Sequence, residues 1–204
     1  EIIVVDNAST YGSADWVEEN YPQARIIRLK ETVSLARALN LGIRSASGDY
    51  YLLLNPDTRL EKNAVSELVR RAAQAGENQL PCAAVAAKLQ LLWAPGFLNG
   101  LGNLVGAISW GTDIALGHLD LGQFDDWEIV PSACFAAALI SAQAFEEIGP
   151  LEEGFPMYYE DSEWCYRARL LGYSIQAASA AVVYHAFGGH APNQAGPGLS
   201  AQTL

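Results

Sequence analysis

Four places in this 204-residue sequence carry side chains that could do chemistry together. Asp6 closes the apolar run Ile2-Ile3-Val4-Val5, and Asp57 follows Leu52-Leu53-Leu54-Asn55-Pro56. Glu160 and Asp161 stand side by side with Glu163 close behind, and His185 ends Ala181-Val182-Val183-Tyr184. In open α/β sheets ligands bind beyond the carboxyl ends of the strands, so acids at those ends are candidates for one shared site. Each also has a structural use, since an Asp after a strand can order a turn or cap a helix, and acids at a helix start favour its dipole. Capping accounts for one of Glu160 and Asp161 at most. Adjacent carboxylates repel, which raises a pKa and suits one of them to proton transfer. Spacing leaves open which of the two carries the proton. A lone His after a strand is as readily a hydrogen-bonded structural residue as a ligand. His118 and His190 have weaker claims, and no metal-binding spacing joins the three.

The elements that must position these residues follow from periodicity. Residues 1–6 read as a strand buried on both faces, 14–20 as a short helix, 25–29 as a second strand and 34–47 as an amphipathic helix. Residues 50–54 form the next buried strand and 62–75 another amphipathic helix, and this strand-helix alternation argues for a mostly parallel sheet. Residues 84–130 are rich in Gly and Trp and weakly periodic. Beyond them, 133–141 read as a strand, 142–148 and 161–171 as helices, and 174–178 and 181–184 as two last strands. The uncharged stretch 89–112 is long enough to suggest a membrane span. Pro95, Asn99, Asn103 and several glycines break it, so it reads as an apolar loop compatible with a membrane surface, a lipid-linked ligand or a dimer interface.

Composition limits the function classes. Twelve Lys+Arg against 23 Asp+Glu give a net charge of -11, which repels a phosphate backbone and disfavours nucleic acid as a partner. Three widely spaced cysteines without a C-x-x-C pair indicate neither a disulfide framework nor a zinc cluster and fit a reducing cytoplasm. The sequence opens at Glu1 without an initiator Met, a basic leader or a cleavage site, so the expectation is a piece of a longer chain without a signal peptide.

Five stretches in order, Val4-Val5-Asp6-Asn7-Ala8-Ser9-Thr10, Leu53-Leu54-Asn55-Pro56-Asp57-Thr58, Gly122-Gln123-Phe124-Asp125, Phe155-Pro156-Met157-Tyr158-Tyr159-Glu160-Asp161 and Tyr184-His185, resemble the inverting glycosyltransferases of family 2. The closest likeness is to their rhamnosyltransferase-like branch, and it extends over nearly the whole chain. The resemblance implies a GT-A, Rossmann-like α/β fold: a mostly parallel sheet flanked by helices, in one domain over residues 1–204. Residues 1–83 would form the nucleotide-donor half and 84–204 the acceptor and catalytic half. The family's chain begins one strand and one helix earlier, so that first strand is expected to be missing here.

The resemblance also implies roles. Asp6 would hydrogen-bond the nucleotide base, as an acceptor-only carboxylate can read an imide N–H. Asn7, Ser9, Arg37, Asn40 and Asn55 would join it around a nucleoside diphosphate sugar, Arg37 being either a donor contact or a solvated helix charge. Asn55-Pro56-Asp57 resembles the family's D-x-D element, with Asp57, joined by His185, holding the Mg²⁺ or Mn²⁺ that bridges an acidic site to a diphosphate. Asp161, with Glu160 beside it, would be the general base that deprotonates a hydroxyl of a glycan or lipid-linked acceptor, with inversion. The sequence departs from the family at Thr32-Val33-Ser34-Leu35-Ala36, Tyr11, Ser141-Ala142 and Glu163. A noncatalytic nucleotide-sugar-binding or scaffold domain is the alternative. A sugar nucleotidyltransferase would need a Gly-rich basic loop that the sequence lacks. Trp110 and Trp127 are candidates for an acceptor-side surface, against the commoner use of Trp in cores.

Overall fold

The structure is a computed structural model and describes residues 1–77, 80–105 and 111–187. The elements run β1 (Ile3–Asp6), α1 (Ser13–Asn20), β2 (Arg25–Arg28), α2 (Leu35–Arg44), β3 (Tyr50–Leu54), β4 (Thr58–Leu60) and α3 (Ala64–Glu77). They continue with β5 (Cys82–Leu91), β6 (Leu98–Gly100), β7 (Asn103–Val105), β8 (Gly111–Asp113), β9 (Ala137–Ser141), α4 (Ala142–Ile148), α5 (Glu160–Leu170) and β10 (Ser174–His185). Ser34 and Ser141 start α2 and α4 by accepting from the backbone N–H three residues on, which satisfies donors a helix start leaves free.

The main sheet has the order β3-β9-β5-β10-β4, with β6 also paired to β5. Alternate residues of β5 face opposite sides. Ala84 and Ala86 join Trp164, Phe145 and Phe135 beneath α4 and α5, while Val85, Ala87 and Leu89 join Leu68 and Ala64 of α3. The sheet is thus sandwiched between helices, as the alternating pattern implies.

Its strand directions are more mixed than expected. β1/β2 and β5/β10 are parallel, whereas β3/β9, β5/β9, β5/β6, β4/β10 and β7/β8 are antiparallel. The early strand-helix units do run as expected, but β9 enters reversed between β3 and β5, a long-range pairing that local periodicity does not encode. The two expected late strands are one, β10, interrupted by a register shift between Ala178 and Val182. The described part of the expected apolar loop at 89–112 includes the end of β5, all of β6 and β7 and the start of β8, with Leu89 paired in β5 and Leu98 and Leu101 fully buried. Among the described residues no helix is long and apolar enough to cross a membrane.

β1 and β2 form a separate two-stranded sheet. The Glu1 carboxylate accepts from the backbone N–H and hydroxyl of Ser47, holding the start of β1 beside the turn that leads into β3. Asp6 and Asn55 stand at the other, carboxyl ends of these strands.

The Gly122-Gln123-Phe124-Asp125 stretch proves to be a brace. Lys88 of β5 is buried, and its ammonium lies 2.5 Å from Asp125 and 3.2 Å from Asp120. Gln90 donates to Asp120, and Gln123 ties the loop to itself through Leu119 and Leu121. Burial works against the charge on Asp120, but Lys88, the Gly122 N–H and Gln90 together hold its carboxyl below the usual range. Lys88→Ala removes a buried cation from two partly exposed carboxylates and is expected to cost about 2 kcal/mol in a urea titration. Because the Asp120 pKa is depressed on folding, its contribution is present at neutral pH and lost as pH falls through the folded value. Lys88→Ala should therefore lose less stability in acid than at neutral pH, and an equal loss at both would contradict the brace.

Candidate active site

One cleft of about 640 Å³ opens among the ends of β3, β6, β7, β8 and β10 and the start of α5. Its walls bring together Asn55, Asp57, Glu160, Asp161 and His185 from the sequence-derived set. Asp113, Asn99, Asn103, Tyr158, Tyr159 and Phe187 also line it, and among the described residues no Lys or Arg does.

On one side, Asp57 Oδ1 lies 3.3 Å from His185 Nε2. His185 is buried at the end of β10, where its register against β4 sets it beside Thr58, and its Nδ1 is 2.7 Å from Asn99 Oδ1. Burial lowers the His185 pKa, with Asp57 pulling the other way, which favours the neutral ring. A carboxylate and a neutral imidazole are a fitting donor pair for a divalent ion. Among the described residues no group of three or more such side chains is assembled to hold a metal.

Asp161 stands at the start of α5 on the other side. Its Oδ2 accepts from Asn103 Nδ2 at 2.8 Å and the Phe135 N–H at 3.4 Å, and its Oδ1 accepts from the Ser162 N–H at 2.6 Å. Asn103 is held in place by its backbone bond to Ser132 O. Gly102 before it has φ +124°, and a Cβ there would come within 2.3 Å of the same carbonyl. The Asn103 Oδ1 is buried and has no hydrogen-bond partner among the described residues. Tyr158 and Tyr159 both adopt left-handed backbone with φ of 65° and 71°, a conformation that costs about 1 kcal/mol or more each for side chains of this kind. Two strained residues in succession deliver the Glu160-Asp161 pair to the cleft.

The carboxyl pKa values here are raised, chiefly by burial. This holds for Asp161, whose three donors oppose the rise, and for Glu160, where the Asp161 charge is a smaller contribution. Mutual repulsion is therefore the secondary cause, not the leading one expected from their adjacency. Asp113, which carried no signal in its Gly-rich surroundings, is pushed up to about 6 by burial and by Asp161, against a hydrogen bond from Asn99.

The other sequence-derived residues lie outside this cleft. Asp6 Oδ1 accepts from the Ser9 N–H in a local turn. Asn7 exchanges two hydrogen bonds with the Val33 backbone, tying the loop after β1 to the entrance of α2. Arg37 is exposed and 3.9 Å from Glu153. Asn40 is buried, and its amide is engaged by the Leu151 backbone and Glu153. Glu163 pairs with Arg167 along α5. Trp127 is half-exposed and packs edge-on against Phe124, away from the cleft, whereas Trp110 and His190 lie outside the described residues. Cys82, Cys134 and Cys165 are free, and burial raises their thiols to about 11, 12 and 12.

The sequence model for glycosyl transferase family 2 matches residues 1–149. A curated relative, the low-salt glycan biosynthesis hexosyltransferase Agl10 of Haloferax volcanii, is 27% identical over 178 residues, covering 83% of this chain and 53% of the relative. The chain thus spans about half the length of that relative. Among solved structures, GalNAc-T7 with UDP, GalNAc and Mn²⁺ matches at a TM-score of 0.70 and 14% identity, over 91% of this chain and 37% of the other. The mannosyltransferase PcManGT of Pyrobaculum calidifontis, with GDP-Man and Mn²⁺, matches at 0.65 and 18%, over 91% and 47%. At these identities the structural likeness concerns the fold.

The raised Asp113 value has a pH consequence of definite sign. Its protonated form favours the folded chain below the ordinary 3.8, and that advantage is lost as pH rises through about 6. Asp113→Asn removes this loss, so its stability relative to wild type should improve from about pH 5 to about pH 8 in paired urea titrations. A difference that does not change with pH would contradict the placement of Asp113.

Proposed function

The chain belongs to glycosyl transferase family 2, and from that premise we propose that it transfers a hexosyl group, with inversion, from a nucleoside diphosphate sugar to a hydroxyl of a glycan or lipid-linked acceptor. The observation that carries the reading is the single cleft with Asp57 and His185 on one side and Asp161 on the other. Among the described residues no Lys or Arg of its lining balances a diphosphate, whereas the Asp57 and His185 donors suit Mg²⁺ or Mn²⁺. Asp57 and His185 would hold such an ion, which would supply Lewis-acid stabilisation of the charge on a departing nucleoside diphosphate.

In this proposal Asp161 takes the proton of the acceptor hydroxyl while its oxygen attacks the anomeric carbon from the face opposite the leaving group. Asn103 and the N–H groups of Phe135 and Ser162 aim its oxygens, and Glu160 is the neighbouring acid. Exposed Tyr158, Tyr159 and Phe187 offer apolar faces to a sugar at the cleft. Residues 1–83 supply the donor half, with Asn55 beside Asp57 and Asp6, Asn7, Ser9 and Arg37 at the more distant nucleoside end. Residues 84–204 supply the acceptor and catalytic half. Rhamnose is one candidate sugar by the branch resemblance, and a hexose by the curated relative. A cytoplasmic setting, at the inner membrane face for a lipid-linked acceptor, accords with the three free thiols.

Two variants test the reading in the full chain. Asp57→Ala should abolish Mn²⁺-dependent stabilisation by nucleoside diphosphates in a thermal-shift panel, and an unchanged shift would remove Asp57 as a metal ligand. Asp161→Asn should bind the donor as wild type does but turn over about 10²- to 10⁴-fold more slowly, the usual range for a lost general base. Wild-type turnover would eliminate Asp161 from that role. A chain that binds nucleotide sugar but transfers nothing to any hydroxyl or to water would instead be a noncatalytic binding domain.

A further inference from the structure

We propose that Asn99 and Asp113 act together as positioning residues that fix the tautomer of His185, so that its Nε2 lone pair is presented beside Asp57. The proposal rests on the metal reading above and assigns the groups behind that site. Asn99 is 1% exposed and sits on β6, anchored to β5 by pairing on either side at Leu98 and Gly100. Its Nδ2 is 3.2 Å from Asp113 Oδ2, and its Oδ1 is 2.7 Å from His185 Nδ1.

The chemistry of each group allows one assignment. An ionised carboxylate only accepts, so the amide end facing Asp113 must be the NH₂ donor. The Asn99 oxygen then faces His185, and an oxygen can only accept, so Nδ1 must carry the hydrogen. A neutral ring has one such hydrogen, which leaves Nε2 with a free lone pair 3.3 Å from Asp57 Oδ1. Two lone-pair atoms opposed at that distance repel unless a cation joins them. The backing group that fixes a ligating His in this way is commonly a carboxylate or carbonyl. Here it is a buried amide, itself oriented by a carboxylate.

The decisive measurement is ¹⁵N NMR of the imidazoles in the metal-free protein near pH 8, where Asp113 is ionised, with His185 assigned from a His185→Gln spectrum. The expected result is Nδ1–H in wild type. Nε2–H would overturn the proposal without any appeal to variants. Asn99→Leu should then lose the Nδ1–H preference and weaken Mn²⁺ binding in the presence of a nucleoside diphosphate by roughly 10- to 100-fold. The double exchange Asn99→Asp with Asp113→Asn conserves charge and reverses the amide-carboxylate pair while keeping an acceptor toward Nδ1. It should retain both the tautomer and the affinity. A merely structural role would not be rescued this way, and a double variant that folds but lacks Nδ1–H contradicts the relay. Should Asn99→Leu not fold, the wild-type spectrum and the double exchange still decide. Nδ1–H in wild type with unchanged Mn²⁺ binding in folded Asn99→Leu would overturn the positioning role alone. Unchanged Mn²⁺ binding in Asp57→Ala would instead mark the metal reading as the part that fails.

Discussion

The structure turns on the cost of keeping several carboxyl groups half out of water in a cleft to which the described residues bring no Lys or Arg. Asp57, Asp113, Glu160 and Asp161 line it together. For three of them burial is the leading cause of a raised pKa. A fold that only needed stability would disperse or pair such groups, as this chain does elsewhere with Lys88 and its two aspartates. Here no Lys or Arg among the described residues of the lining offsets the negative charge. That arrangement leaves a carboxylate and an imidazole facing each other on the Asp57 side and sustains proton affinity on the Asp161 side.

What holds the groups apart in function is the hydrogen bonding behind each. Asp161 receives three donors, which favour its ionised form and aim its oxygens, while desolvation keeps its proton affinity up. His185 is backed by the Asn99 amide, and Asn99 by Asp113. Two asparagines four residues apart thus serve the two sides of the cleft. Between them the backbone must pass close to Ser132 at Gly102, where no side chain fits.

Much of this organisation is legible in the sequence, and the exceptions have physical reasons. The strands that lead to Asp6 and, through Asn55-Pro56, to Asp57 are continuous apolar runs, and the helix opened by Glu160 has the acids and the later Arg residues that a helix dipole favours. Gathering Asp57, Glu160, Asp161 and His185 in one cleft follows from strand ends and a helix start, which pattern can locate. Asn99, Asn103 and Asp113 were not legible, because β6, β7 and β8 are three-residue strands whose places depend on partners far along the chain. Strands that short carry no measurable period. The same non-local pairing explains why β9 reverses direction unannounced. Asn40 is a different case: a polar residue on an amphipathic helix usually faces solvent or ligand, but here the core-facing stripe includes it and a buried backbone turn engages its amide.

The central claim is that Asp57 and His185 hold a divalent ion together with the diphosphate of a nucleotide sugar. Pulsed electron paramagnetic resonance of Mn²⁺ bound to the protein with a nucleoside diphosphate addresses it most directly, since couplings to nitrogen and phosphorus report the atoms bonded to the ion. The account requires a directly bonded imidazole nitrogen and phosphorus on the same Mn²⁺, with the nitrogen coupling gone in His185→Gln. Phosphorus coupling without nitrogen would mean that the nucleotide carries the metal unaided, and the cleft would have to be reinterpreted.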